Sequence, residues 1–196
     1  AEINMKTDGQ GAATGEKQES QGYKKTTFYT PQDIVEKESG RAVLSDLLLT
    51  WTGCYIKALG HRVDNRVLAD HVMIYCVDGA GWLRLNGHTL TVRSGDLFIC
   101  PPGIAHAYGA DQKDPWTKYY VHFRGKNATA YLDLLGLNVV APVLHIGENT
   151  RIIAWMQDIF TLLKTGYSSA NLLLASACLG QILSYVKSLR LTGGFH

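Results

Sequence analysis

The sequence predicts a mainly β domain closed by helices, with an arm ahead of it. Three observations carry this. Between Trp51 and Phe123, short apolar runs are separated by Gly and Asp, the texture of a sandwich or barrel. Asn86-Gly87 stands between two such runs and is the strongest short hairpin signal. After Gly125 the apolar spacing changes to a helical period.

Residues 1–26 are rich in Gly, Gln, Ser and Thr, with balanced charges around few apolar side chains. Such a stretch buries too little to order itself, so 1–27 is expected to be an arm that a ligand could order over the barrel mouth. From Pro31 to Leu49 a short helix should run into a strand. Val72 to Val77 is a continuous β-branched and aromatic run that stops at Asp78-Gly79. Trp82 to Leu85 and Thr89 to Val92 flank the hairpin turn. Ser94-Gly95-Asp96 turns the chain into Leu97 to Cys100, and Lys118 to Phe123 makes one more strand. Asn127 to Leu137 reads as a short helix and Val139 to Ile146 as an extended return. Asn149 or Thr150 can cap the next helix, and Ser168 or Ser169 the longest one, which reaches about Arg190. The expected organisation is an arm (1–27), a barrel (28–146) and a helical segment (147–196).

At 196 residues the chain suits one domain, and its 46% hydrophobic content supports a sizeable core. Charged residues are 18%, which excludes a charge-rich disordered chain. A net charge of +2 offers no electrostatic footprint for nucleic acid. Cys54, Cys76, Cys100 and Cys178 sit in apolar runs without a C-x-x-C pair, as buried thiols of a reducing compartment do. No signal peptide and no run of 18 apolar residues is visible, so a soluble cytoplasmic protein is expected.

The sharpest motif runs from Gly95 through Pro101-Pro102-Gly103 to His106, with the spacing G-x5-P-x-G-x2-H. Gly95 permits a turn at positive φ, and the proline pair ends a strand by removing backbone donors. This resembles the second motif of the cupin superfamily, which implies a double-stranded jelly-roll barrel. The metal ligands of that superfamily do not follow. Val72 stands where a Glu is expected, Asn65-Arg66-Val67-Leu68 offers no histidine pair, and His61 and His71 are ten residues apart. No metal and no cofactor is expected.

Residues from about Leu47 to Leu189 also resemble the ligand-sensing half of AraC/XylS-type transcription regulators. The landmarks are Gly60-His61-Arg62-Val63, Ile74 through Trp82, Gly95-Asp96-Leu97-Phe98, and Pro101-Pro102-Gly103 through Ala110. They continue with Asp114-Pro115-Trp116, Val121-His122-Phe123-Arg124-Gly125, Gly166-Tyr167-Ser168 and Leu172 through Ser176. The resemblance implies a cupin-like barrel that binds an effector, helices that dimerise, and a DNA-binding domain beyond them. Only six residues follow Arg190, so that last domain is absent from this chain and an excised sensor domain is the expectation.

Strand alternation sends Lys118, Tyr120 and His122 to one face and Tyr119, Val121 and Phe123 to the other. The first face suits a cavity for a small polar ligand. Tyr120 or Trp116 could stack on a sugar ring, with Lys118 and Arg62 or Arg66 on its hydroxyls. The family pattern adds His106 and Tyr108. Trp116 also suits a plug at the barrel end, and Arg62 and Arg66 an exposed edge strand. In the last helix Leu172, Ala175, Leu179, Ile182, Val186 and Leu189 are spaced 3, 4, 3, 4, 3, a seam suited to a homodimer. Leu173, Leu174 and Leu183 form a second apolar face that could pack on the barrel or on the helix carrying Ile152 to Leu163. The function expected is effector sensing: the resemblance implies a small effector of carbohydrate type, DNA is reached only through the missing domain, and no reaction is catalysed. The alternative is a metal-dependent cupin enzyme, a sugar isomerase or dioxygenase, which stoichiometric metal in the purified protein would favour.

Overall fold

The computed structural model describes residues 22–191. Two antiparallel sheets face one another. The first contains β1 (Lys24–Tyr29), β2 (Leu48–Ile56), β4 (His71–Asp78), β7 (Asp96–Cys100), β9 (Thr117–Arg124) and β10 (Val143–His145), in the order β1-β2-β9-β4-β7-β10. The second contains β3 (Arg62–Arg66), β5 (Ala80–Leu85), β6 (His88–Arg93) and β8 (His106–Ala110), in the order β3-β8-β5-β6. The strands β2-β9-β4-β7 opposite β3-β8-β5-β6 are the two four-stranded layers of a jelly roll, as the sequence predicts. Helices α1 (Gln32–Ser39), α2 (Ala128–Leu134), α3 (Thr150–Lys164) and α4 (Ser169–Leu191) complete the described residues.

Local chemistry accounts for the turns. Asn86 and Gly87 both take positive φ, 50° and 78°, as a two-residue primed turn between β5 and β6 requires. Asn149 caps α3, its side chain accepting from the backbone N–H of Ile152 at 3.2 Å. Ser168 caps α4 by accepting from the N–H of Asn171. Ser169 instead donates to the buried Glu38 at 2.8 Å. The strand β1 begins inside the stretch whose composition reads as an arm: it pairs with β2 from Lys24 opposite Ile56 to Tyr29 opposite Trp51. The expectation for residues 1–21 lies outside the described residues.

Alternation divides the six-stranded sheet into two cores. Met73, Tyr75, Leu97, Ile99, Tyr119, Val121 and Phe123 face the helices. Val72, Ile74, Cys76, Phe98, Cys100 and Tyr120 face the other sheet. This is the strand parity read from Lys118 to Phe123.

The helical core corrects the expected dimer seam. Leu172, Ala175, Leu179, Ile182 and Val186 are all 0% exposed within a single chain, and Leu189 packs against the same core. The stripe is therefore spent on the domain's own barrel and cannot also meet a partner. Of the second face, Leu183 is buried while Leu173 and Leu174 stand exposed. α4 is long and apolar enough by composition to cross a membrane, but that apolar stripe is the one used in the core. A polar tie fixes the helix. The register of β2 shifts between Leu49 and Trp51, and the N–H of Leu49 donates to the buried hydroxyl of Ser176 at 3.0 Å. Ser176→Ala should leave that N–H unpaired and cost about 1–3 kcal/mol in chemical denaturation; an unchanged midpoint would mean water replaces the hydroxyl.

Candidate functional site

The space between the sheets is lined by polar and aromatic side chains, and β9 supplies three of them. Lys118, Tyr120 and His122 point inward by alternation, and Trp116 enters just ahead of the strand. Two glycines make room. Gly53 pairs with Tyr120 across β2 and β9, and a Cβ there would lie 2.5 Å from the phenol oxygen. A Cβ at Gly81 would lie 2.1 Å from Cε3 of Trp116. Gly81→Ala should therefore displace the indole, at about 1–3 kcal/mol of overpacking strain. Near-ultraviolet circular dichroism should record the change, and an unaltered spectrum would show that the backbone yields instead.

Lys118 is 1% exposed. Its ammonium lies 4.6 Å from the ring centre of Tyr108, 5.0 Å from Tyr55, 5.3 Å from Tyr120 and 5.4 Å from Trp116. These rings offer cation–π attraction, yet among the described residues no carboxylate pairs with it. Burial, with Arg66 nearby, pulls its pKa down to about 7. The nearby thiols are no counter-ions, because burial pushes Cys54 up to about 11 and Cys76 and Cys100 up to about 12.

Arg66 approaches from the opposite sheet. Its Nη2 donates to the Tyr108 hydroxyl at 2.8 Å, while its Nε is buried without a partner. The ring of His106 stacks on Tyr108 at 6.1 Å, and its Nδ1 lies 3.0 Å from the carbonyl of Ile104. That contact requires the proton on Nδ1 and leaves the buried Nε2 bare and unpaired. The His122 ring lies tilted against Trp51 with centroids 4.6 Å apart, and burial holds its pKa well below the ordinary imidazole value. Nδ1 of His61 and Nε1 of Trp116 are also buried and unpaired. A cleft of about 280 Å³ reaches His122 and Trp51 at one margin, and another of about 380 Å³ reaches His106.

The structure thus brings together Arg66, His106, Tyr108, Trp116, Lys118, Tyr120 and His122, but not Arg62. Arg62 is exposed, binds Asp64 at 2.6 Å and lies over Trp82 outside the barrel. The reason is an irregularity in β3. Between Val63 and Arg66 the register against β8 slips by a residue, with Asn65 at φ 43°, so Arg66 turns inward while Arg62 remains outside. Sequence reasoning missed Thr27, Trp51, Tyr55 and His61. Thr27 accepts from Trp51 Nε1 at 2.7 Å and shares a hydrogen bond with the Tyr120 hydroxyl at 2.8 Å. The spacing Trp51, Gly53, Tyr55 was the available signal, since it alternates toward Tyr120. Among the described residues, no three His, Cys, Asp or Glu side chains converge as metal ligands do.

Comparison with known proteins adds a family. Residues 53–183 match the model of the AraC-like ligand-binding domain. The chain is 32% identical over 164 residues to the MmsAB operon regulatory protein of Pseudomonas aeruginosa, covering 82% of this chain and 53% of that protein. It is 28% identical over 125 residues to the Msm operon regulatory protein of Streptococcus mutans, covering 64% and 45%. It is 27% identical over 108 residues to the raffinose operon transcriptional regulatory protein of Pediococcus pentosaceus, covering 55% and 39%. The chain spans about half the length, or less, of these relatives.

Proposed function

The chain belongs to the family of AraC-like ligand-binding domains, and from that premise we propose that it is the effector-sensing part of a cytoplasmic transcription regulator whose effector enters the barrel interior. The observation that carries this reading is the set of buried polar atoms left without partners at Arg66, His61, His106 and Trp116. Isolated buried polar groups are costly, and a ligand that pairs with them offsets that cost. A relative named for a raffinose operon supports the carbohydrate class that the family resemblance implies. The bound state would then be relayed through the helices to a DNA-binding domain attached after α4.

Trp51 and Trp116 lie in or beside the interior, so their fluorescence reports occupancy. Titration of a sugar and sugar-acid panel into wild type, Tyr120→Ala and Tyr119→Ala tests the site. Tyr120→Ala should lose about 1–3 kcal/mol of binding, tenfold to a hundredfold in affinity, while Tyr119→Ala keeps it. Loss in the Tyr119 variant with retention in the Tyr120 variant would move the site to the helix side of the sheet.

A homodimer through α4 has to use the face that the core leaves open. Leu173 and Leu174 are exposed there, beside a groove that runs past Ala177, Gly180 and Ser184. Leu173→Arg with Leu174→Arg should give a folded monomer in sedimentation, and an unchanged dimer would exclude this face.

A further inference from the structure

Among the described residues the barrel interior is rich in donors, and no acid pairs with its buried lysine. Lys118 is buried without a carboxylate partner. The half-buried Arg66 bonds a neutral phenol and keeps Nε free. The acids nearest the barrel's surface residues are already engaged: Asp64 holds Arg62, and Asp70 holds Arg124 and Thr50. A neutral sugar would leave the Lys118 charge uncompensated in its ring cage. We infer that the effector carries an oxyanion, a carboxylate or a phosphate, held between Lys118 and Arg66. This deepens the effector-site reading and rests on it.

The chemistry is complementary at each contact. An oxyanion accepts from an ammonium and from guanidinium N–H groups in charge-assisted bonds. The rings of Tyr55, Tyr108, Trp116 and Tyr120 exclude water around that pair and strengthen it. His106 Nε2, being bare, accepts from a hydroxyl on the same ligand. The groups that face Lys118 are Arg66 from β3, Tyr55 from β2, Cys76 from β4, Cys100 from β7 and Tyr108 from β8, while the nearby Cys54 thiol lies on the helix side of β2. Tyr120 faces it from its own strand, and His61 lies on the loop before β3. None of these supplies a negative charge near neutral pH, because burial pushes the thiols and phenols up. Oxyanion affinity should therefore fall as pH rises through about 7, where Lys118 loses its proton.

Calorimetry with matched pairs tests this at constant ionic strength: gluconate and glucose 6-phosphate against glucose, with acetate and inorganic phosphate as minimal oxyanions. At least one oxyanion should bind wild type, and its affinity should drop by about tenfold or more in Lys118→Met. The control Arg62→Met, on the surface, should bind as wild type does. Gluconate and acetate distinguish a carboxylate from the phosphate arm. Glucose binding as well as its charged counterparts, with Tyr120→Ala abolishing it, would overturn the oxyanion while leaving the barrel as the site. Oxyanion binding that survives both Lys118→Met and Tyr120→Ala would overturn the oxyanion contact and the barrel site together. No binding of any oxyanion to wild type would overturn the inference outright.

Discussion

Replacing Lys118 with methionine is expected to stabilise the ligand-free domain at pH 6 and to weaken its oxyanion affinity by about tenfold or more. The two effects share one cause. The Lys118 pKa is about 7 in the fold, against 10.5 for a free lysine. Between those values the unfolded chain holds the proton that the folded chain has released, so wild-type stability rises with pH across that window. Below pH 7 both states are protonated and the whole cost of burying the charge is felt, on the order of 3–5 kcal/mol. Methionine matches the aliphatic stem and carries no charge, so the variant escapes this cost. Denaturant unfolding from pH 6 to 10 should show the variant ahead at pH 6 and the gap closing as pH rises. A variant less stable than wild type at pH 6 would mean that the ring cage holds the ammonium as a structural element.

The second large effect concerns α4. Leu179 is fully buried in the core shared by the six-stranded sheet and the helices. Leu179→Ala should cost about 2–5 kcal/mol through lost transfer energy and a cavity. Leu179→Arg adds an unpaired buried charge and should exceed that, enough to unfold a domain whose total stability is about 5–15 kcal/mol. Far-ultraviolet circular dichroism and sedimentation together should report an unfolded or aggregated chain. A folded monomer would show instead that Leu179 faces a second copy, the arrangement its heptad spacing suggests.

These two outcomes mark where the sequence stops being legible. The interval pattern of Leu172 to Leu189 identifies an apolar stripe, but the same stripe serves a partner helix or a barrel wall. Only the packing of α4 against the sheet decides between them. Alternation on β9 placed Lys118, Tyr120 and His122 correctly because nothing interrupts that strand. On β3 the same rule fails, since alternation puts Arg62 and Arg66 on one face and the slipped register against β8 separates them. Thr27 was hidden in a polar stretch whose strand forms only by pairing with β2. The two-sheet architecture itself was readable from turn chemistry at Asn86-Gly87, Gly95 and Gly103, all of which take positive φ. That Lys118 has no carboxylate partner among the described residues is a property of the assembled barrel and has no counterpart in local sequence.

The most direct test of the account is the titration of the Lys118 side chain itself, followed by the nuclear magnetic resonance of its ε-carbon in selectively labelled protein. A midpoint near 7 is expected in the ligand-free domain, with a clear upward move when gluconate or phosphate is added, as a bound oxyanion favours the charged form. A midpoint near that of a free lysine, unmoved by either oxyanion, would contradict it.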